Sequence, residues 1–154
     1  MIEERLSELG IVLPLPLPPL AAHASVVVSG GLAYVAGHGP MDAKRIPVRV
    51  GAVDGEVSED DARDAARLAG LNALSSLRAE LGSLDRVEHI LRLTGYVLSS
   101  QTFFRQPWVV DGASELFLEV FGPERGRHAR TSVGVTTSAL RMTVSIDLIV
   151  AVSQ

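Results

Sequence analysis

The sequence predicts one domain of mixed α and β structure, with two helices laid on one face of a sheet. Three observations predict it. Segments with helical and strand periodicity alternate in the order strand, strand, helix, strand, helix, strand, strand. Hydrophobic residues make up 47% of the chain but aromatics only 5%, so burial must come from Val, Leu, Ile and Ala, which suit a close-packed sheet under small-residue helices. The last strand carries apolar side chains on both of its faces, so the two helices leave a second apolar surface to cover. Exposing a large apolar patch is unfavourable, and a homo-oligomer is the simple remedy.

The elements follow in chain order. Ile2 to Leu9 reads as a short amphipathic helix stopped by Gly10. Pro14, Pro16, Pro18 and Pro19 then alternate with leucines. This excludes a helix or a central strand and leaves an extended arm, its leucines expected to pin it to the body. Ala24–Ser29 and Leu32–His38 are strands joined by Gly30-Gly31, a hairpin signal because primed turns need positive φ. Pro40 to Val57 reads as loop with one short strand near Val48. Ser58 opens a helix, with Asp61 three residues on as in a capping box. Ala62, Ala65, Ala66, Ala69, Ala73, Leu77 and Leu81 form its buried stripe, and Gly82 ends it. Arg86–Ser99 is a long strand interrupted by Gly95, the mark of a bulge or a close backbone approach. A second helix starts near Pro107, presents Val110, Ser114, Phe117, Leu118 and Phe121 on one face, and stops at Gly122-Pro123. Thr131–Ser138 and Thr143–Val152 close the sheet. In the last, Val144, Ile146, Leu148, Val150 and Val152 share one face.

The 154 residues fit a single domain, 1–154, of which 1–20 form the helix and proline-rich arm. The chain has no cysteine, which excludes disulfides, thiolate metal sites and a cysteine nucleophile. A net charge of −4 with scattered basic residues gives no footprint for nucleic acid. No apolar run reaches the ~20 residues of a membrane helix. The acidic start, Met-Ile-Glu-Glu-Arg, lacks signal-peptide character, so the expectation is a cytoplasmic protein with no membrane partner.

Candidate chemistry is sparse. His23, His38, His89 and His128 show no metal-ligand spacing, so no metal is expected. Ser29 and Ser132 sit in no Gly-x-Ser-x-Gly elbow, and Gly37-His38-Gly39 leads into no phosphate loop. Glu59, Asp60, Asp61 and Asp64 complement a helix dipole. Arg130 stands apart. It lies behind a basic, glycine-containing loop and just before a strand, where a planar guanidinium is either a surface group or a two-pronged receptor for a carboxylate.

Gly126-Arg-His-Ala-Arg-Thr-Ser-Val-Gly-Val135 resembles the Ala/Pro-Arg-Ser/Thr-x-Val-x-Val signature of the RidA family, also called YjgF-type and often labelled endoribonuclease L-PSP. Leu32–Pro40, Leu-Ala-Tyr-Val-Ala-Gly-His-Gly-Pro, is similar to that family's second strand and Ser-Gly-Gln-x-Pro motif. Ala65–Leu81 matches its first helix and Val144–Val152 its last strand. The N-terminal extension and Gln106–Ser114 look like a divergent branch.

The resemblance implies an α+β, chorismate mutase-like fold of the bacillus type. That is a mixed sheet with two helices on one face, assembled as a homotrimer around a central barrel-like core. It implies hydrolysis of reactive enamines and imines to 2-keto acids and ammonia, without a cofactor, in pockets between subunits. Residue by residue, Arg130 matches the arginine that anchors the substrate carboxylate. Gly37 matches the glycine whose carbonyl faces the ligand. Ser132 falls where many members have cysteine, and its backbone N–H can still serve. His38 replaces the usual glutamine, and His23 falls where a tyrosine commonly closes the pocket. Ser145 stands at the position of the catalytic glutamate. Asp147 shares its strand face about 6.6 Å further on. His38 and His23 are the other candidates for a base, since imidazole titrates near neutrality.

Two functions are therefore expected of Arg130: carboxylate binding with imine deaminase chemistry, or binding alone, the reading that Ser145 favours. RNA cleavage, which the family label suggests, is opposed by the acidic charge.

Overall fold

A computed structural model describes residues 1–154. The order is α1 (Ile2–Glu8), β1 (Val26–Ser29), β2 (Leu32–His38), α2 (Glu59–Leu81), β3 (Val87–Leu98), α3 (Gln106–Gly126), β4 (Ala129–Val135) and β5 (Val144–Val152). The strands form one mixed sheet in the order β1-β2-β5-β3-β4. Only β3 and β4 run parallel, as they must when a helix, α3, makes the crossover between them. Every other pair is antiparallel.

The local signals act as their chemistry requires. Gly30 and Gly31 both take positive φ, 59° and 77°, and turn β1 into β2. The Ser58 hydroxyl accepts the Asp61 amide at 3.1 Å, and Gly82 closes α2 in the left-handed region at φ 82°. The cap is one-sided, because the Asp61 carboxylate turns instead to Arg49 at 3.6 Å.

The alanine and leucine stripe of α2 is buried throughout and packs with Val110, Ala113 and Phe117 of α3 over one sheet face. A cross-strand row on that face runs Val26–Val35–Leu148–Leu93 and ends at Arg130 on the edge strand β4. The opposite face has no helix. There a row Val27–Tyr34–Ile149–Arg92 crosses the sheet, with Val27 and Tyr34 about half exposed.

Several expectations need correction. The arm is held by Leu13, which is buried, and by a hydrogen bond from the Ser75 hydroxyl to the Pro14 carbonyl, while Leu15 and Leu20 face outward. No strand forms near Val48; the loop makes only isolated bridges, such as Met41 with Pro47 and Val50 with Met142. Leu118 is exposed rather than part of the buried face of α3. Gly122 breaks α3 at φ 74°, yet a further turn follows Pro123 before the chain leaves at Gly126. The fourth strand starts two residues early, at Ala129, and ends at Val135 instead of Ser138. Gly95 is a close approach and not a bulge: a Cβ there would stand 2.5 Å from Val110 Cγ2. The bulges of β3 lie nearer its start, between Val87 and His89 and between Ile90 and Arg92.

Candidate functional site

The expected site residues fall into two groups within one chain. The first is built around Arg130. Its Nη1 donates to Asp111 Oδ1 at 2.6 Å and to Ser114 Oγ at 3.0 Å, while Nε and Nη2 have no partner within the chain. Asp111 and Ser114 come from the first turns of α3, which packs beside β4. Ser114 Oγ also lies 2.9 Å from His128 Nε2, and His128 Nδ1 lies 2.7 Å from the Gly126 carbonyl.

Burial, first of all, holds His128 below its ordinary pKa of 6.5. The Gly126 carbonyl opposes this shift, and the Arg130 and His89 charges add to it. With the ring neutral, the directions are fixed. Nδ1–H donates to the carbonyl, Nε2 accepts the Ser114 hydroxyl, and the Ser114 oxygen accepts Arg130. Sequence spacing gave no sign of Asp111, Ser114 or His128 as partners of Arg130, because α3 and β4 meet only in the fold. Ser132 lies two residues on, its buried Oγ without a partner.

The second group is Gly37, His38 and His23. They line one cavity of about 280 Å³, walled by the proline arm from Leu17 to Ala21, the end of β2, and Met142. His38 is held as His128 is. Nδ1 lies 2.7 Å from the Ala36 carbonyl and Nε2 2.8 Å from Ser76 Oγ. Burial lowers its pKa, against the Ala36 carbonyl, with a smaller lowering from His23. Both ring nitrogens of His38 are thus engaged within the chain. Asn72, of α2, also lines this cavity and was not singled out from sequence.

The two groups are far apart. His38, Ile146, Gly95 and Ser132 form one cross-strand row, which at a strand spacing near 4.8 Å puts its ends about 14 Å apart. Ser145 lies between them on the opposite sheet face, in register with Tyr96. Asp147 shares that face and accepts the Tyr96 hydroxyl at 2.8 Å. That bond is the main reason the Tyr96 pKa is raised. A bulge in β2 between Val35 and His38 sets Ala36 and Gly37 opposite Asp147, since Val35 pairs with Leu148 and His38 with Ile146. The β5 residue in backbone register with Ala36 and Gly37 is therefore Asp147.

No group of three or more His, Asp or Glu side chains is arranged to hold a metal ion. No helix is long and apolar enough to cross a membrane.

Residues 3–150 match the family described as "YjgF/chorismate mutase-like, putative endoribonuclease". The chain belongs to this family. Its sequence is 36% identical to Protein TCP17 of Trypanosoma cruzi over 149 residues, 97% of this chain and 92% of that protein. Two crystal structures share the YjgF fold closely. Protein Atu1372 from Agrobacterium tumefaciens is 37% identical with a TM-score of 0.88, covering 99% of this chain and 94% of that one. A "putative endoribonuclease" from Shewanella oneidensis is 29% identical with a TM-score of 0.92, covering 99% of both chains. The five-stranded mixed sheet with its helices is thus a YjgF-type α+β fold, as the resemblance implied.

Proposed function

We propose that the chain is a RidA-like cytoplasmic protein that binds small 2-imino and 2-keto carboxylates in pockets between the subunits of a homotrimer. One observation carries this reading. Arg130 is locked by one nitrogen and keeps the other edge of its guanidinium, Nε and Nη2, unspent. That edge is the fork that receives a carboxylate through two parallel hydrogen bonds. Asp111 and Ser114 fix its orientation in advance, which lowers the entropy lost on binding.

The division of the site supports assembly. Gly37, His38 and His23 stand about 14 Å or more from Arg130 and Ser132 along the sheet, too far for one small carboxylate to touch both. A second copy bringing its Arg130 edge to this chain's Gly37 end completes the pocket. The uncovered sheet face, with Val27, Tyr34 and Ile149, supplies apolar area for that contact.

In the deaminase version, water adds to the imine carbon, its proton passes to a base, and the nitrogen leaves as ammonia, giving the 2-keto acid. The carboxylate assigned to this work is Asp147; its backbone register with the Ala36–Gly37 bulge and its hydrogen bond from Tyr96 support the assignment. Ser145 has no such partner, which is what favours the second reading, a ligand-binding protein without chemistry. The net charge of −4 still opposes RNA cleavage.

Calorimetry with pyruvate tests the binding reading. Arg130→Ala abolishes binding and leaves the fold intact; unchanged affinity would refute it. Ammonia release from enzymically generated iminopropionate, compared with Ser145→Glu, separates catalysis from binding alone.

A further inference from the structure

We infer that His128 is a positioning residue for the carboxylate receptor: by holding the Ser114 hydroxyl it fixes the plane of Arg130, and it reaches the ligand only through that plane. This rests on the carboxylate reading of Arg130, since the plane matters to a ligand that binds through two parallel hydrogen bonds.

Two sequence spacings bring the four groups together. His128 and Arg130 are two residues apart at the entry to β4, so they turn to the same sheet face, the one that α3 covers. Asp111 and Ser114 are three apart on α3, which stacks them on one side of the helix. Where the two elements meet, the pairs interleave in the order Asp111, Arg130, Ser114, His128.

The hydrogens of that row are all assigned. His128 Nδ1–H donates to the Gly126 carbonyl at 2.7 Å, which leaves Nε2 to accept the single Ser114 hydroxyl hydrogen at 2.9 Å. The Ser114 oxygen is then presented to Arg130 Nη1 as an acceptor at 3.0 Å. All three bonds point the same way, from Arg130 towards Gly126, and bonds so aligned polarise and strengthen one another. Burial favours the neutral ring, which the arrangement requires.

The ring is itself held in place. Phe117 stands edge-on to it, with centroids 6.0 Å apart at an interplanar angle of 78°. A Cβ on Gly126 would collide with the Phe117 carbonyl, so glycine there lets the loop press onto α3 and bring its own carbonyl to Nδ1. Ser114 is buried, so its hydroxyl needs a partner within the chain. Without His128 Nε2 the ready alternative is the carbonyl of Val110, four residues back on α3, the usual acceptor for a serine inside a helix. That bond draws the oxygen back along α3 and away from β4. Arg130 then keeps Asp111 alone, and a single bond lets the guanidinium swing.

The test is calorimetry of pyruvate binding to the full chain and its variants. Glutamine and methionine are nearly the same length, but only the glutamine amide is a good acceptor for a hydroxyl. His128→Met is expected to weaken binding by about fivefold or more, the worth of one hydrogen bond, whereas His128→Gln stays within about twofold of the wild type. His128→Asn, whose amide is one carbon too short to reach Ser114, is expected to weaken binding as much as His128→Met and replaces it if that variant does not fold. Ser114→Ala cuts the same link from the helix, with the same loss. Adding His128→Met or His128→Asn to Ser114→Ala brings no further loss, because both changes act through one bond. Arg130-dependent binding that His128→Met or His128→Asn leaves unchanged overturns the inference and keeps the carboxylate reading standing. A loss in His128→Gln equal to theirs, or losses that add in the double variant, assign His128 to packing and overturn it as well. Absence of pyruvate binding by the wild type overturns both readings.

Discussion

Arg130 Nη1 stands 2.6 Å from Asp111 Oδ1, and the two side chains are 22% and 39% exposed. The edge strand β4 and the second turn of α3 are thereby joined. A guanidinium tied at one nitrogen is a different object from a free surface arginine. Its plane is set before any ligand arrives, and one edge remains available.

Arg130→Lys tests that distinction. Lysine keeps the charge but loses the planar fork. Keto-acid affinity is expected to fall at least tenfold in calorimetry while the melting temperature shifts little. Retained affinity would mean that charge alone binds and the fixed plane is irrelevant.

Asp111→Ala probes the tie itself. The pair is partly solvated, so screening limits its worth to less than about 1 kcal/mol. For a domain of this size that is a fall of about 2–4 °C in melting temperature. The difference from wild type should shrink in high salt, since exposed pairs are screened. A loss several times larger would show that Asp111 has a structural role beyond the ion pair.

Both His38 and His128 have pKa values lowered from 6.5 by burial. In the unfolded chain these rings take up protons near pH 6.5, while in the fold they resist until lower pH. The unfolded state therefore binds more protons as pH falls through and below 6.5, and stability falls with it. Urea midpoints should decline between pH 7.5 and pH 5. His128→Gln should flatten part of that slope, since its amide can still meet the Ser114 hydroxyl but does not titrate. An unchanged slope in the variant would place the titration elsewhere.

Much of the fold was legible in the sequence because its signals are local. Ser58 and Gly82 bound α2 by capping chemistry, and Gly30-Gly31 set the hairpin by φ. The alternation of Val144 to Val152 located the strand that lies centrally in the sheet. The site was legible only in part. Arg130 and Gly37 stood out through a motif, but their partners lie on other elements: Asp111 and Ser114 on α3, Asn72 on α2. A β-bulge was the subtlest loss. It shifts the register of β2 against β5, and counting along the chain from Arg130 cannot see it, so the register of Asp147 with the Ala36–Gly37 bulge emerges only in the fold.

Gly95→Ala reports how closely α3 must sit on β3. The added methyl would stand 2.5 and 2.7 Å from the two Val110 γ-carbons. Overpacking of this kind costs about 1–3 kcal/mol. Because α3 also carries Asp111 and Ser114, the shift should weaken keto-acid binding as well as stability. Adding Val110→Ala restores room, and the double variant is expected to recover both. Recovery of neither would mean that the strain is relieved some other way.

Asp147→Asn decides between catalysis and binding alone. Asp147 lies in backbone register with the Ala36–Gly37 bulge, and its carboxylate accepts the Tyr96 hydroxyl at 2.8 Å. If Asp147 takes the proton from the attacking water, the amide cannot, and general-base catalysis of this kind is worth about 10²–10⁴-fold. Ammonia release from iminopropionate should fall by that order while pyruvate affinity changes little. Tyr96→Phe removes only the hydrogen bond to the carboxylate, so it should shift the pH profile of the rate and leave turnover measurable. If wild type releases ammonia no faster than solvent, and Ser145→Glu creates the activity, the base is absent from the native chain and the protein is a binder. If wild type turns over and Asp147→Asn does not slow it, the proton goes to another group and the bulge has no catalytic role.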